Sequence, residues 1–327
     1  MTDYKNNYAI VADIGGTFAR FARVNLIDLV IDEIEVLSCV DYISLELAFT
    51  TYVLRHSLSA IKKVSIAIAC PVLGDLVAMT NHHWQFSIKA LKEQLELEEL
   101  HVINDFFALA KSLSVLTRED FKQIGAASGD LTHPKVILGA GTGLGMGYTL
   151  SNTHAFAAGG GHVSWGATTE QEWFIYQYLQ QKYGHVSQER ILSGQGLEHI
   201  YIALSHFYKA DKPELKAEAI IPLALSQEDV IAQRAVKQFF ICLARYAGDL
   251  ALSFGAFGGV YLAGGVVTRL LPLLEEREFR EHFEAKGRFK TFNTTIPTFV
   301  MTAKQPGILG AAVSLKQSLQ GAVNVIH

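Results

Sequence analysis

"IVADIGGTFARFARV", residues 10–24, decides how the fold is read. An apolar, β-branched run ends in Gly15-Gly16-Thr17 and a second apolar run follows at once, the pattern of a strand, a glycine turn and another strand. The same pattern returns in "VILGAGTGLGMGYTL", residues 136–150, and each stretch reads as the start of a domain. Strand-like runs such as "KVSIAIACPV" and "VYLAGGV" alternate with helix-like stretches such as "ELAFTTYVLRHSL" and "TEQEWFIYQYLQQKYG". That alternation predicts α/β domains with mixed sheets. The expected division is a small domain, 1–109 plus 303–327, and a large one, 110–302. The final helix, from Pro306 onward, is expected to pack back on the first domain.

Composition narrows the function classes. The chain has 327 residues, half of them hydrophobic, and a formal net charge of −4. Disorder is excluded, and no run of Lys or Arg forms the footprint of a nucleic-acid or anionic-membrane binder. The expected partners are small molecules or other protein chains. Cys39, Cys70 and Cys242 are odd in number and lack metal-ligand spacing, so they read as buried small hydrophobes in a reducing compartment. No export leader is visible at "MTDYKNNYAIVADIGG", and a cytoplasmic location is expected. "LALSFGAFGGVYLAGGVVT", residues 250–268, is long enough to test as a membrane span. Its five glycines suggest instead a helix end, a turn and a buried strand running into a glycine loop.

Three glycine loops stand out: Gly15-Gly16-Thr17, Gly139-Ala140-Gly141-Thr142-Gly143 and Gly264-Gly265. Glycine allows backbone N–H groups to approach an anion, but a lone glycine turn is more often only a tight hairpin. Neither a Walker loop nor a dinucleotide fingerprint is present. Three loops, two of them with a threonine and one with Asp13 at its start, point to a nucleotide site split between two domains. A carboxylate beside phosphates needs a cation, so magnesium is expected near Asp13, held mostly by phosphates and water rather than by a protein cage.

"HVINDFFALA", residues 101–110, sets Asn104 and Asp105 inside an apolar run. One reading is that either residue caps a helix beginning at Phe106; the other is that both are occupied by a ligand. Residue chemistry alone leaves both readings open.

Taken in order, "DIGGTFARFA" (13–22), "IACPVLGDLVAMTNHHW" (68–84), "INDFFALA" (103–110), "LGAGTGLG" (138–145), "GGGHVSW" (159–165), "ERILSGQGL" (189–197), "VYLAGGVV" (260–267) and the segment from "KGRFKTF" to "GILGAA" (286–312) resemble bacterial glucokinases. That family lies in the actin-like ATPase and hexokinase superfamily, and the resemblance covers nearly the whole chain. It implies two duplicated mixed-sheet domains of ribonuclease H-like fold flanking a cleft. The implied activity is ATP- and magnesium-dependent phosphorylation of glucose, or a related hexose, to the 6-phosphate, in a homodimer. By the same resemblance, Asp105 is the general base, and Asn81, beside Thr80, joins Asn104, Asp105, His162 and Glu189 as sugar ligands. Asp13, Gly15, Gly16, Thr17, Gly139, Gly141, Thr142, Gly143, Gly264 and Gly265 are the implied nucleotide residues.

Two departures stand against the pattern. The family places Glu three residues before the His, where this chain has Gly159, and Asn where it has Phe18. Ser164 also stands where Asp is common. Losing a carboxylate acceptor for a sugar hydroxyl costs roughly 1–3 kcal/mol. Weaker glucose binding, a different sugar, or a nearly inactive relative serving as a sugar sensor all follow as alternatives.

Overall fold

The structure, a computed structural model, describes residues 7–80 and 82–321. Its contacts divide the chain into two compact units, one of residues 1–116, 149–157 and 303–327, the other of 117–148 and 158–302.

In the first unit, β1 (Tyr8–Ile14), β2 (Phe18–Asn25) and β3 (Ile31–Ser38) form an antiparallel meander. β4 (Lys63–Ile68) and β7 (Glu99–Asn104) extend it in parallel, giving the order β3-β2-β1-β4-β7. A separate short hairpin pairs β5 (Leu76–Ala78) with β6 (Gln85–Ser87). Both faces of the five-stranded sheet are covered, which is why β1 reads as an almost unbroken apolar run. On one face Ile10, Ala12, Ile14 and Phe21 pack with Phe49 and Tyr52 of α1 (Leu45–Arg55). On the other, Ala9, Val11, Ala22 and Val24 meet Ala108 of α3 (Asp105–Ser112) and Ile308, Ala311 and Leu315 of α11 (Pro306–Leu319). α2 (Ile88–Gln94) leads towards β7.

A six-stranded sheet, built largely from residues of the second unit, has the order β11-β10-β9-β12-β13-β8. Its strands are β8 (Phe121–Ile124), β9 (Lys135–Ala140), β10 (Leu144–Thr149), β11 (Ala155–Ala158), β12 (Val260–Ala263) and β13 (Thr298–Met301). β9, β12 and β13 run parallel, and β8 closes the edge antiparallel to β13. The helices are α4 (Glu170–Tyr183), α5 (Gly194–Phe207), α6 (Ala217–Leu225), α7 (Val230–Phe254), α8 (Gly265–Leu270), α9 (Glu276–Glu284) and α10 (Lys290–Thr294). Leu197, Ile200 and Leu204 of α5 and Phe239, Leu243 and Leu250 of α7 share one core with Val136 and Leu138 of β9.

The apolar stretch 250–268 is therefore the end of α7, a turn, β12 and the start of α8. Asp229 caps α7, its carboxylate accepting from the Ile231 and Ala232 amides, and Gly255 ends it in the left-handed conformation. No helix among the described residues is long and apolar enough to cross a membrane. The three cysteines are free thiols and buried.

Candidate active site

Both units place their polar loops by the same rule. In parallel α/β sheets, ligands gather outside the carboxyl ends of the strands, where chains leave the sheet. In the first unit Ile14, Ile68 and Asn104 lie in one row across β1, β4 and β7. Asp13, the first glycine turn, Cys70 and the Asn104-Asp105 pair are thereby collected at one end of the sheet. In the second unit Ala263 of β12 is in register with Gly139 of β9, which brings the Gly141 and Gly264 turns to the carboxyl ends of neighbouring strands.

The structure separates the duties of Asn104 and Asp105. Asn104 is the helix cap: its Oδ1 accepts from the Phe106 amide at 2.9 Å and the Phe107 amide at 3.2 Å. Its Nδ2 donates to the Cys70 carbonyl at 3.1 Å and to Asp105 Oδ1 at 2.8 Å. Asp105 is thus held by its neighbour while standing in the first turn of α3, where the helix dipole and backbone amides favour a negative charge. Burial outweighs them: desolvation, then repulsion from Asp13, pushes its carboxyl up to about 7. A carboxylate poised near neutrality is suited to accept a proton and release it again.

Asp13 sits opposite Arg20 across the β1–β2 turn, with Arg20 Nη1 3.9 Å from its Oδ2. Burial raises its pKa and Arg20 only partly opposes the rise. Gly307, at the start of α11, lies so close that a Cβ there would stand 2.8 Å from the Asp13 carboxylate. The first glycine turn is a tight hairpin, closed by Gly15 N–H donating to the Phe18 carbonyl at 3.0 Å. The Cys39 amide donates to the Thr17 carbonyl and the Cys39 thiol to that of Gly15, so the turn is held from behind. Phe18 opens β2 and is about half exposed. Gly16 shares this turn. Thr80 is exposed, and Asn81 lies outside the described residues.

In the second unit a short antiparallel pairing brings His162 and Glu189 together. Gln188 N–H donates to the Val163 carbonyl at 2.9 Å, Ser164 bridges Ser187, and Trp165 N–H donates to the Val186 carbonyl at 2.8 Å. Ser164 therefore acts through its backbone here, and nothing in the structure explains the residue type. The turn before His162 is set by packing: a Cβ on Gly161 would run into the Leu144 carbonyl, and one on Gly160 into Met146. Tyr246 OH also donates to the Gly160 carbonyl. Gly159 differs, since its backbone is at φ −77° and a Cβ there would meet nothing within 4 Å. Glycine at 159 has no backbone cause, and its consequence is open space beside His162.

Glu189 Oε2 accepts from the Leu144 amide at 2.9 Å, directly after Thr142 and Gly143, and a Cβ on Gly143 would stand 2.5 Å from it. Gly194 N–H donates to the Gly141 carbonyl at 2.9 Å. At the third loop Gly264 has φ 97°, and any Cβ would collide with the Ala140 backbone, whereas Gly265 is open. Gly264 is therefore fixed by packing as well as by conformation.

Sequence reasoning missed three partners. Arg20 was legible, because the tight Gly15-Gly16-Thr17 turn sets it opposite Asp13. Gly307 and the Leu144 amide carry no local signal; only the packing of α11 and the return of residues 187–194 bring them in.

The glucokinase family model matches residues 10–318. The glucokinase of Photorhabdus laumondii is 41% identical over 317 residues, covering 96% of this chain and 98% of that one. The crystal structure of a glucokinase from an Antarctic psychrotroph superposes with a TM-score of 0.84 at 31% identity, over 94% of this chain and 98% of that one. A glucokinase from Balamuthia mandrillaris in complex with glucose shares the fold, with a TM-score of 0.79 at 21% identity, over 95% of this chain and 94% of that one. The two sheets with their strand-end loops are those of the actin-like ATPase fold, and the chain belongs to the glucokinase family.

Proposed function

We propose that this chain transfers the γ-phosphoryl group of ATP to the 6-hydroxyl of glucose, releasing ADP, with Asp105 as the acceptor of the hydroxyl proton. The observation that carries the reading is the Asp105 carboxyl, fixed by Asn104 at a strand end in a setting where burial and the nearby Asp13 push its pKa up to about 7. Phosphoryl transfer asks a protein for positioning, charge neutralisation and one acceptor for the nucleophile's proton. Asn104, His162 and Glu189 are the proposed hydroxyl ligands, with Asn81.

Gly15, Gly16, Thr17, Gly139, Gly141, Thr142, Gly143, Gly264 and Gly265 would cradle the nucleotide through backbone amides. Asp13 fits a place beside a magnesium ion that accompanies ATP. Its half-buried carboxylate has Arg20 at 3.9 Å as its ion-pair partner, and a divalent cation would favour its charged form. The three reduced, buried cysteines and the family support a cytoplasmic enzyme working as a homodimer.

A coupled ADP-release assay with magnesium and ATP against a panel of hexoses tests the activity. Glucose-dependent ADP release supports the reading; thermal stabilisation by sugar without ADP release would support a sensor instead.

Gly159→Glu is expected to fold normally, because the site is open and φ −77° suits any residue. Restoring an acceptor beside His162 should lower KM for glucose by about one to two decades. An unchanged KM in steady-state kinetics would show that the missing carboxylate has no bearing on sugar affinity.

A further inference from the structure

Glu189 is built into the turn that follows β9 as firmly as into its own segment. Its Oε2 accepts from the amide of Leu144, the first residue after the Gly141-Thr142-Gly143 turn. The segment that carries it closes on the same turn a second time, through Gly194 N–H on the Gly141 carbonyl at 2.9 Å. Between these two bonds the segment is braced by Ser193. Ser193 Oγ donates to the Glu189 carbonyl at 2.8 Å and accepts from the Gly196 amide at 3.0 Å, so the chain turns from Glu189 directly into α5. Gly143 faces the carboxylate so closely that a Cβ would sit 2.5 Å from Oε2. Gly141 by contrast would meet nothing within 4 Å. Of these two glycines, Gly143 is the one at which a methyl group would displace the carboxylate.

We infer that Glu189 is the positioning residue of the 141–143 turn, setting its backbone amides for a nucleotide phosphate through Oε2. Oε1, which has no hydrogen bond among the described residues, stays available for a sugar hydroxyl. This rests on the kinase reading and deepens it: one carboxylate serves both ligands. A free loop amide at Leu144 would let the turn relax, because glycines at 141 and 143 give it no stiffness of its own. The effect therefore appears in nucleotide binding even when no sugar is present, which a residue that only touches sugar cannot produce.

The test is calorimetric titration of magnesium-ADP into the full chain without sugar, for wild type, Glu189→Ala, Glu189→Gln, Gly143→Ala and His162→Ala. Loss of a charge-assisted bond to the turn should weaken ADP about tenfold or more in Glu189→Ala. Glu189→Gln retains an oxygen that can accept the Leu144 amide, and should stay within about threefold of wild type. Gly143→Ala, which displaces an intact Glu189, should show the same loss as Glu189→Ala and carries the test if that variant fails to fold. His162→Ala, whose side chain has no bond to the turn, should bind ADP as wild type does.

Equal ADP affinity in wild type, Glu189→Ala and Gly143→Ala overturns the inference while leaving the kinase reading intact. Failure of wild type to bind ADP at millimolar concentration overturns both.

Discussion

Asp105→Ala is expected to lower sugar-dependent ADP release by about two to four decades, the usual contribution of a positioned base. The helix that carries it should survive, because Asn104, not Asp105, satisfies the Phe106 and Phe107 amides. Retained turnover with an intact melting transition would remove Asp105 from the proton-accepting role. Asp105→Asn separates charge from shape and adds a pH test. The base works as a carboxylate, so wild-type kcat/KM should rise with pH and level off above about 7, where Asp105 ionises.

Stability runs the other way. A carboxyl raised from 3.8 to about 7 binds its proton more tightly when folded, so its contribution is complete below the unfolded value and is lost as pH climbs through 7. Desolvation and the nearby Asp13 charge are the physical source of that loss. Asp105→Asn should therefore melt higher than wild type at pH 8 and no higher at pH 4. Equal melting temperatures at pH 8 would mean that the folded protein does not hold the charged carboxylate at a cost.

Gly310→Ala should give the largest loss of stability. In an ordinary helix interior this change gains about 1 kcal/mol from propensity. Here α11 lies directly on α3, and a Cβ at 310 would overlap the carbonyl of Ala108. Neither helix can yield without opening the face formed by Ala108, Ile308, Ala311 and Leu315. Backbone against a new methyl group is overpacking with no flexible partner, and a loss of about 3 kcal/mol is expected. For a unit of this size that is a fall of roughly 6–12 °C in melting temperature. Gly159→Ala, in open space, should change stability by no more than about 0.5 kcal/mol. Thermal unfolding followed by circular dichroism reads both. If Gly310→Ala melts with or above wild type, the close helix contact is not what requires glycine there. Activity should fall with the stability, since α3 begins at Asp105.

The glycine-rich stretches show how far local reading reaches. "DIGGTFARFA" announces a turn between two strands, and the turn is there, closed from Gly15 to Phe18. It does not announce that Cys39 clamps it, because that contact depends on the register of β3 on β2, which sets Ser38 opposite Phe18 and Cys39 against the turn. "GGGH" looks uniform as text, yet its three glycines have different causes. Gly161 is forced by the Leu144 backbone, a side chain at 160 would have to push Met146 and Tyr246 aside, and Gly159 is free to be any residue. The Asn104-Asp105 question was posed correctly by composition, a polar pair in an apolar run. Its answer required the register of β4 and β7, which puts Cys70 and the first turn of α3 within reach of one amide.

The sequence by itself determined the α/β class, the strand, turn and strand patterns near residues 10 and 136, and the family. These follow from hydrophobic period and glycine placement, which are local and survive in one dimension. The tertiary structure alone decided which carboxylates share a field, which backbone amide Glu189 holds, and which glycines are obligatory. Those depend on contacts such as Asp13 with Gly307, or Leu144 with Glu189, between segments far apart in the chain. Burial then sets their energetics: the same aspartate titrates near 4 in water and near 7 at the end of β7, and no local pattern of residues carries that difference.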